Sequence, residues 1–472
     1  MAPQSRAMLA QLKVGKNAMK ASREFIGLAS DSRKVEPGYL FAALSGTRSD
    51  GAKFVEDAVR RGAAAVLGRP ELRAQVEALG VRFIAADNPR LALARQAASF
   101  FGAQPKTVAA VTGTNGKTSV TVFLRQIWET LGHRAASLGT IGAVTPKGEI
   151  ALAQTTPDPI ELHRLLAQMK ADGVDHLAME ASSHGLDQHR LDGVEIAAVA
   201  FTNLTRDHLD YHPDFEHYLE AKLRLFDLAR DVAVVNADAA QAERFVAAAR
   251  RRGLRLLTVG TKGGDLRLVS STPHGAGQDL VVNDRCIALP LAGGFQASNA
   301  LVAAGLAIGL GDDAAKVLAA LEHLQGAPGR LELVAPQIYV DYAHTPDALE
   351  TVLKALRPHV TGKLRLVFGC GGDRDKGKRP LMGLAAAKFA DAVIVTDDNP
   401  RNEDPAAIRR AILEACPGAK EIGDRSEAIR AGIGSLGSGD VLVIAGKGHE
   451  SGQTIGDVTR PFSDRDEARR WA

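Results

Sequence analysis

The stretch Val111-Thr-Gly-Thr-Asn-Gly-Lys-Thr-Ser119 limits what this chain can fold into more than any other. It follows an apolar run, Thr107-Val-Ala-Ala-Val111, that reads as a short buried strand, and it opens a helical run from Thr118 to Leu131. Strand, glycine-containing loop, lysine, hydroxyl and helix in that order make a phosphate cradle. The loop N–H groups and the helix N-terminus face an anion, and Lys117 adds a point charge. Thr118 stands where a hydroxyl can hold a phosphate-bound Mg²⁺. Gly113, Thr114, Asn115, Gly116, Lys117, Thr118 and Ser119 are therefore the expected nucleotide contacts. The usual pattern places a glycine five residues before Gly116; Val111 stands there, and the first glycine is Gly113. The loop is a shortened P-loop variant. An ordinary glycine-rich turn would need strand, lysine and hydroxyl to fall in register by coincidence.

The remaining bulk properties set limits. The 472 residues suggest about three domains of roughly 150 residues each. A net charge of +3 argues against a dedicated nucleic-acid binder. Cys286, Cys370 and Cys416 show no CxxC spacing, which suits a reducing cytoplasm better than a disulfide framework or a zinc site. No apolar leader and no run of about 18 apolar residues is evident, so neither export nor membrane insertion is expected.

Taken in order, residues 1–25 read as an extension or a first helix. Short strands at Tyr39–Leu44, Ala64–Leu67 and Val81–Ala86, with helices at Phe54–Arg61 and Leu91–Phe101, make a small α/β unit. Its loops, including Asp31-Ser-Arg33, carry hydroxyls and arginines but no acid–base pair, as in a binding module. Gln104-Pro105 marks a linker, and Pro328-Gly-Arg330 a second, giving domains over 1–104, 105–328 and 329–472. Within the middle one, Pro159 starts a helix capped by Asp158, and the strand His176–Glu180 ends on a carboxylate. Ligands of parallel sheets bind at such carboxyl ends. Glu180 is the first candidate for Mg²⁺ and His208 the second, while His208 and Asp210 can equally be loop caps. Lys222 falls on a helix expected over Tyr218–Arg230, where a lone lysine is normally solvated. Residues 262–293 read as an antiparallel excursion turning at Gly275 and Asn283-Asp284. In the third domain, strands ending at Tyr342, Phe368, Thr396 and Ala445 each empty into a charged loop. Arg374 and Arg401 beside Asp398 and Glu450 suit a ligand bearing both carboxylates and ammonium groups. The fold class is α/β.

Five motifs together resemble the Mur ligase family of peptidoglycan synthesis, over roughly Asp31 to Asp466. They are Gly113-Thr-Asn-Gly-Lys-Thr118, Glu180-Ala-Ser-Ser-His-Gly-Leu186, Thr205-Arg-Asp-His-Leu-Asp210, Asp341-Tyr-Ala-His-Thr-Pro346 and Gly446-Lys-Gly-His-Glu450. The stretch Asp398-Asn-Pro-Arg401 looks like the form that accompanies meso-diaminopimelate rather than L-lysine. The resemblance implies an N-terminal UDP-binding domain, a central ATPase and a C-terminal Rossmann-like domain, acting as a cytoplasmic monomer on small molecules. It implies that Ser30, Ser32, Thr47, Arg48, Ser49, Thr155, Thr156, Ser182, Gln188 and Arg190 hold a UDP-muramoyl peptide. Asn299, Arg330 and Asp341 would join the P-loop in binding ATP. Lys222 falls where the family carries a carbamylated lysine, which would make it a Mg²⁺ ligand beside Thr118, Glu180 and His208. Lys117, Glu180, His208 and Lys222 would be the catalytic set. Arg374, Asp398, Asn399, Pro400, Arg401, Gly446 and Glu450 would bind diaminopimelate. The implied reaction is ATP-dependent amide ligation through an acyl phosphate.

Three other readings compete. A lysine-adding member of the family differs only at Asp398-Asn-Pro-Arg401. Folylpolyglutamate synthases share the loop and the chemistry but lack a UDP domain ahead of it. A regulatory ATPase without ligation would leave the charged third-domain loops without a purpose.

Overall fold

In the computed structural model, which describes residues 24–46, 50–205, 207–208 and 211–472, four strands open the fold: β1 (Gly27–Ala29), β2 (Tyr39–Ala42), β3 (Ala65–Gly68) and β4 (Arg82–Ala85). They form one parallel sheet in sequence order. Alternation sorts the side chains of β2: Leu40 and Ala42 pack with Leu93 and Ala97 of the helix Pro89–Phe101, and Phe41 packs with Val55, Ala58 and Val76 on the other face. β2 stops at Ala42 rather than Leu44, because the Leu44 carbonyl turns to accept from Gly51 N–H at 2.9 Å. The Asp31 carboxylate caps the short helix Ser32–Lys34. The chain divides into two compact units. One holds the described residues up to Ala103 with Asp158–Leu165 and Gln188–Val194; the other holds Gln104–Pro157, Leu166–Asp187 and Glu195–Ala472.

The second unit contains two large sheets. The first has eleven strands around β5 (Thr107–Thr112), which runs parallel between β9 (His176–Glu180) and β10 (Ile196–Phe201). Beyond β9 lie β6 (Ala135–Gly139) and an antiparallel edge, β7 (Gly142–Thr145) and β8 (Gly148–Ile150), absent from the sequence reading. Beyond β10 come β11 (Ala229–Asn236), β12 (Arg255–Gly260) and the antiparallel excursion β13 (Leu266–His274), β14 (Gly277–Val282) and β15 (Arg285–Leu289). β5 is an uninterrupted apolar run because both of its faces are covered. The helix Lys117–Thr130 buries Val120, Phe123, Leu124, Ile127 and Trp128 at helical spacing against this sheet. Each such side chain contributes about 1.5–3 kcal/mol, so the loop before the helix is firmly anchored. The helix carrying Lys222 spans Phe215–Leu228, earlier than expected, because Asp214 caps it by accepting from His217 N–H. The helix Ala314–Ala320 tightens into a short turn over Leu321–His323.

The second sheet runs β16 (Glu332–Ala335), β17 (Ile338–Asp341), β21 (Val441–Ala445), β18 (Leu364–Phe368), β19 (Ala392–Val395) and β20 (Lys420–Glu421), with only β16 antiparallel. β21, late in sequence, enters between β17 and β18. The four loop-bearing strands therefore stand side by side, and their charged loops form one rim. Leu366 and Phe368 face a core with Leu353 and Met382, while Val367 faces Ile429, Leu442 and Ile444. A hairpin of β22 (Gly452–Ile455) and β23 (Val458–Pro461) leads into the last helix, Asp464–Trp471. Among the described residues, no helix is long and apolar enough to cross a membrane.

Candidate functional site

The P-loop follows β5 directly. Gly113 (φ +150°) lies against Thr202, and a Cβ there would land on its hydroxyl; Gly116 (φ +86°) lies against Asn299 in the same way. Both positions need glycine, for backbone angle and for space. Lys117 Nζ donates to the carbonyls of Gly113 and Thr114, each at 2.8 Å, so it closes the loop upon itself. Burial pulls its ammonium below the ordinary lysine value; Glu180 opposes this and Arg330 adds to it. Asn203 pins the tip by accepting from Asn115 N–H at 3.0 Å.

Thr114, Lys117, Thr118, Thr140, Glu180 and Arg330 line an open cavity with the rest of the loop. Glu180, 1% exposed at the end of β9, accepts from Thr118 Oγ1 at 2.9 Å and from Thr140 N–H at 2.8 Å through Oε1. Its Oε2 takes the Thr140 hydroxyl at 3.1 Å. A buried carboxylate beside a hydroxyl, both bordering a cationic phosphate loop, is a hard oxygen donor set that fits Mg²⁺. Thr140 was missed because nothing in its local sequence marks it; only the pairing of β6 beside β9 brings it there.

Lys222 is 1% exposed, not solvated. Its Nζ donates to the Gly113 carbonyl at 2.8 Å and lies 4.5 Å from the Tyr218 ring. Burial and then Lys117 hold its amine well below the usual lysine value. Tyr218, also unmarked in sequence, hydrogen-bonds the Thr114 hydroxyl at 3.1 Å. His208 is exposed, does not line the cavity, and packs edge-on against His184 at 5.0 Å. Its carbonyl accepts from Tyr211 and His212 N–H, which is the behaviour of a loop-forming residue. Arg206 and Asp210 lie outside the described residues, as do Thr47, Arg48 and Ser49 and the segment 1–23.

Of the other expected nucleotide contacts, Asn299 backs Gly116, and Arg330 lines the cavity while its guanidinium lies 4.6 Å from the Tyr342 ring. Asp341 is committed to backbone: its two oxygens accept from Leu331 and Ala343 N–H, each at 2.6 Å. Burial pushes its carboxyl up to about 6, against the pull of Arg330. Among residues expected to hold a nucleotide-linked peptide, Ser30, Ser32, Gln188 and Arg190 belong to the first unit, where Arg190 donates to Gln188 at 2.7 Å. Thr155, Thr156 and Ser182 belong to the second, where the Thr156 hydroxyl accepts from Ser182 N–H at 3.1 Å.

At the rim of the third-domain sheet, Asp398, Asn399, Pro400, Arg401, Gly446 and Glu450 converge. Asn399 Nδ2 donates to Glu450 Oε2 at 2.9 Å, and Asp398 abuts Gly446. Burial raises the Asp398 carboxyl, with Arg425 and Lys447 pulling it back. Arg401 sits at φ +52°, unusual for a side-chain-bearing residue. The β22 hairpin holds it there: Arg401 N–H donates to Thr454, and the Arg401 carbonyl accepts from Gly456 at 2.7 Å. Arg374 is exposed on the neighbouring loop. Glu403 ties the two arginine-bearing loops by accepting from Asp373 N–H at 2.7 Å and from Arg379 at 2.9 Å. Arg379 and that N–H hold its carboxyl down from 4.5 to about 2. A depressed carboxylate stabilises the fold above its ordinary value and loses that contribution as pH falls through the folded one. Melting temperatures of the parent and Glu403→Gln should therefore differ most above pH 4.5 and converge toward pH 2. A gap that stays constant over that window would show that Glu403 carries no such linkage.

Residues 24–101 match the model described as "Mur ligase family, catalytic domain", 111–307 the "Mur ligase middle domain", and 329–448 the "Mur ligase, glutamate ligase domain". The chain is 56% identical over 461 residues to the UDP-N-acetylmuramoyl-L-alanyl-D-glutamate--2,6-diaminopimelate ligase of Bradyrhizobium diazoefficiens, covering 94% of each chain. It resembles a solved structure of a ligase of that same description at 37% identity and TM-score 0.70, again over 94% of each. MurF ligase from Thermotoga maritima, solved in complex with ADP, shares the fold at 18% identity and TM-score 0.60, over 94% of this chain and 96% of that one.

Proposed function

The chain belongs to the Mur ligase family, and on that premise we propose that it joins meso-2,6-diaminopimelate to UDP-N-acetylmuramoyl-L-alanyl-D-glutamate, at the expense of ATP, in the cytoplasmic stage of peptidoglycan precursor synthesis. The observation that carries a ligase reading over a bare ATPase is Arg330. It lines the P-loop cavity and packs on Tyr342, which follows β17 at the edge of the amino-acid rim. The phosphate loop and the rim thus share a residue within one unit.

In this reading the P-loop N–H groups, Lys117 and Arg330 hold the phosphates of ATP. Thr118 and Glu180 would hold Mg²⁺, with Lys222 as a carbamate beside them. The ion, when bound, offsets charge between the nucleotide and the attacking acid. Ser30 and Ser32 bind the uridine part and Thr155, Thr156, Ser182, Gln188 and Arg190 the muramoyl peptide, while 1–104, 105–328 and 329–472 chiefly serve the uridine, ATP and the amino acid. The D-glutamyl γ-carboxylate oxygen bonds to the terminal phosphorus and ADP leaves. The free amine then attacks the acyl carbon, loses a proton, and inorganic phosphate departs. The protein contributes position and charge neutralisation, as in other phosphoryl transfers.

Arg401 selects the amino acid. Its guanidinium can take the distal carboxylate of diaminopimelate through two parallel bonds, and lysine has no such group. Leaving that charge unpaired costs about 2–5 kcal/mol at a desolvated site. The deciding experiment is ADP and product formation with the UDP-dipeptide and diaminopimelate, lysine or no amino acid, for the parent and Arg401→Ala. We expect extension with diaminopimelate only, and a large loss of diaminopimelate use in the variant with ATP affinity retained. ADP release indifferent to the amino acid would overturn the reading in favour of a regulatory ATPase. Equal losses for both substrates would remove Arg401 from the amino-acid site.

A further inference from the structure

Lys447, in the turn after β21, is completely buried. A lysine without solvent must place its ammonium on acceptors or lose its charge. Here Nζ donates to Asn399 Oδ1 and to Glu450 Oε2, each at 3.0 Å. Both acceptors belong to the amino-acid rim; neither is scaffold.

The consequence is orientational. Asn399 Oδ1 takes two donors, Lys447 Nζ and the Thr454 N–H at 2.9 Å. Two donors on one atom identify it as the amide oxygen and send Nδ2 the other way, onto Glu450 Oε2 at 2.9 Å. Glu450 Oε2 then holds both Lys447 and Asn399, while Oε1 takes no hydrogen bond among the described residues. The Glu450 side chain is 34% exposed, so this second oxygen is available to a ligand at the rim. Burial tends to neutralise that carboxyl, yet Lys447 and Asn399 keep it below its ordinary value and hence charged.

We propose that Lys447 is a positioning residue for the amino-acid substrate: untouched by it, Lys447 fixes Glu450, directly and through the Asn399 amide, so that one carboxylate oxygen is presented to a substrate ammonium group. This rests on the assignment of the rim to diaminopimelate. A charge-assisted hydrogen bond is worth about 1.5–3 kcal/mol, or roughly 10–150-fold in an equilibrium constant. Lys447→Met, close in length but without charge, should therefore raise the diaminopimelate KM by about that factor. Its kcat at saturation and its KM for ATP should stay within about threefold. If Lys447 acts through Glu450, the double variant Lys447→Met/Glu450→Gln will be no worse than Glu450→Gln alone. Where Lys447→Met does not fold, Lys447→Gln carries the same comparison.

An unchanged diaminopimelate KM in Lys447→Met, a fall in kcat with KM intact, or additive losses in the double variant would each overturn the positioning role. Glu450→Gln by itself separates the two layers. If it leaves the diaminopimelate KM unchanged, the rim assignment fails; if it raises KM and Lys447→Met does not, only the positioning role fails.

Discussion

Lys222→Ala should lower turnover by roughly a hundred- to a thousandfold, and formate or acetate at high concentration should restore part of it. The amine is sealed from solvent at 2.8 Å from the Gly113 carbonyl, and Lys117 donates to that same oxygen at 2.8 Å. Two ammonium groups on one loop repel, and Lys117 is the second cause, after burial, of the low Lys222 basicity. The neutral amine is the form that adds to CO₂, and the lowered basicity favours it. Carbamylation converts a repelled cation into an anion that Lys117 attracts, with an oxygen pair suited to Mg²⁺. One N–H remains on Nζ, so the bond to Gly113 can persist. Small carboxylates fit the volume that alanine vacates and return the missing negative charge, so recovery would follow their size and charge. Activity that no carboxylate recovers, in a variant that still binds nucleotide, would reduce Lys222 to a strut under the loop.

The largest effect on stability is expected at Asp464. Its carboxylate meets Arg425 at 2.7 Å, with both side chains fully buried. The same guanidinium donates to the carbonyls of Ala445 at 2.9 Å and Asp397 at 3.3 Å. Arg425 thereby pins the ends of β21 and β19 at the base of the rim, and Asp464 fastens the last helix to them. Removing one partner of such a pair leaves an uncompensated charge and costs about 3–5 kcal/mol. For a domain of this size that is a fall in melting temperature of about 10 °C in Asp464→Ala. Asp466→Ala, two residues along the same helix with a side chain 79% exposed, should shift it by no more than about 2 °C. Equal shifts for the two would mean that the buried pair contributes no more than a surface contact. Diaminopimelate affinity should fall with Asp464→Ala as well, because Asp398 and Glu450 lie on the loops that Arg425 holds.

Most elements were legible because their signals are local. The strand His176–Glu180 is a continuous apolar run ending on a carboxylate, and it was placed to the residue. Pro346 after Thr345 marks a helix start, and the Thr345 hydroxyl accepts from Ala348 N–H as a cap should. The excursion at 262–293 was visible from its turns at Gly275 and Asn283. Where local signals were weak, boundaries slipped or elements were missed. The helix Ser183–Asp187 is one turn long, and the hairpins at 142–150 and 452–461 have few apolar residues to give a period. His208 shows the limit at the site: its neighbours in sequence suggest a ligand, whereas its exposure and carbonyl contacts are those of a loop.

The phosphate loop is legible from the residues alone, because cradle, lysine and hydroxyl lie within nine consecutive residues whose spacing is their geometry. So are the third-domain loops, one at a time, as charged segments following apolar runs. The tertiary structure alone decided that β21 enters between β17 and β18 and makes those loops one rim. It alone buried two lysines that any local reading leaves in water. Lys222 meets Gly113 across 109 positions and Lys447 meets Asn399 across 48. Whether a cation is solvated or sealed depends on what packs over it from elsewhere in the chain. Periodicity and propensity report only on near neighbours, so that information exists only once the sheets have assembled.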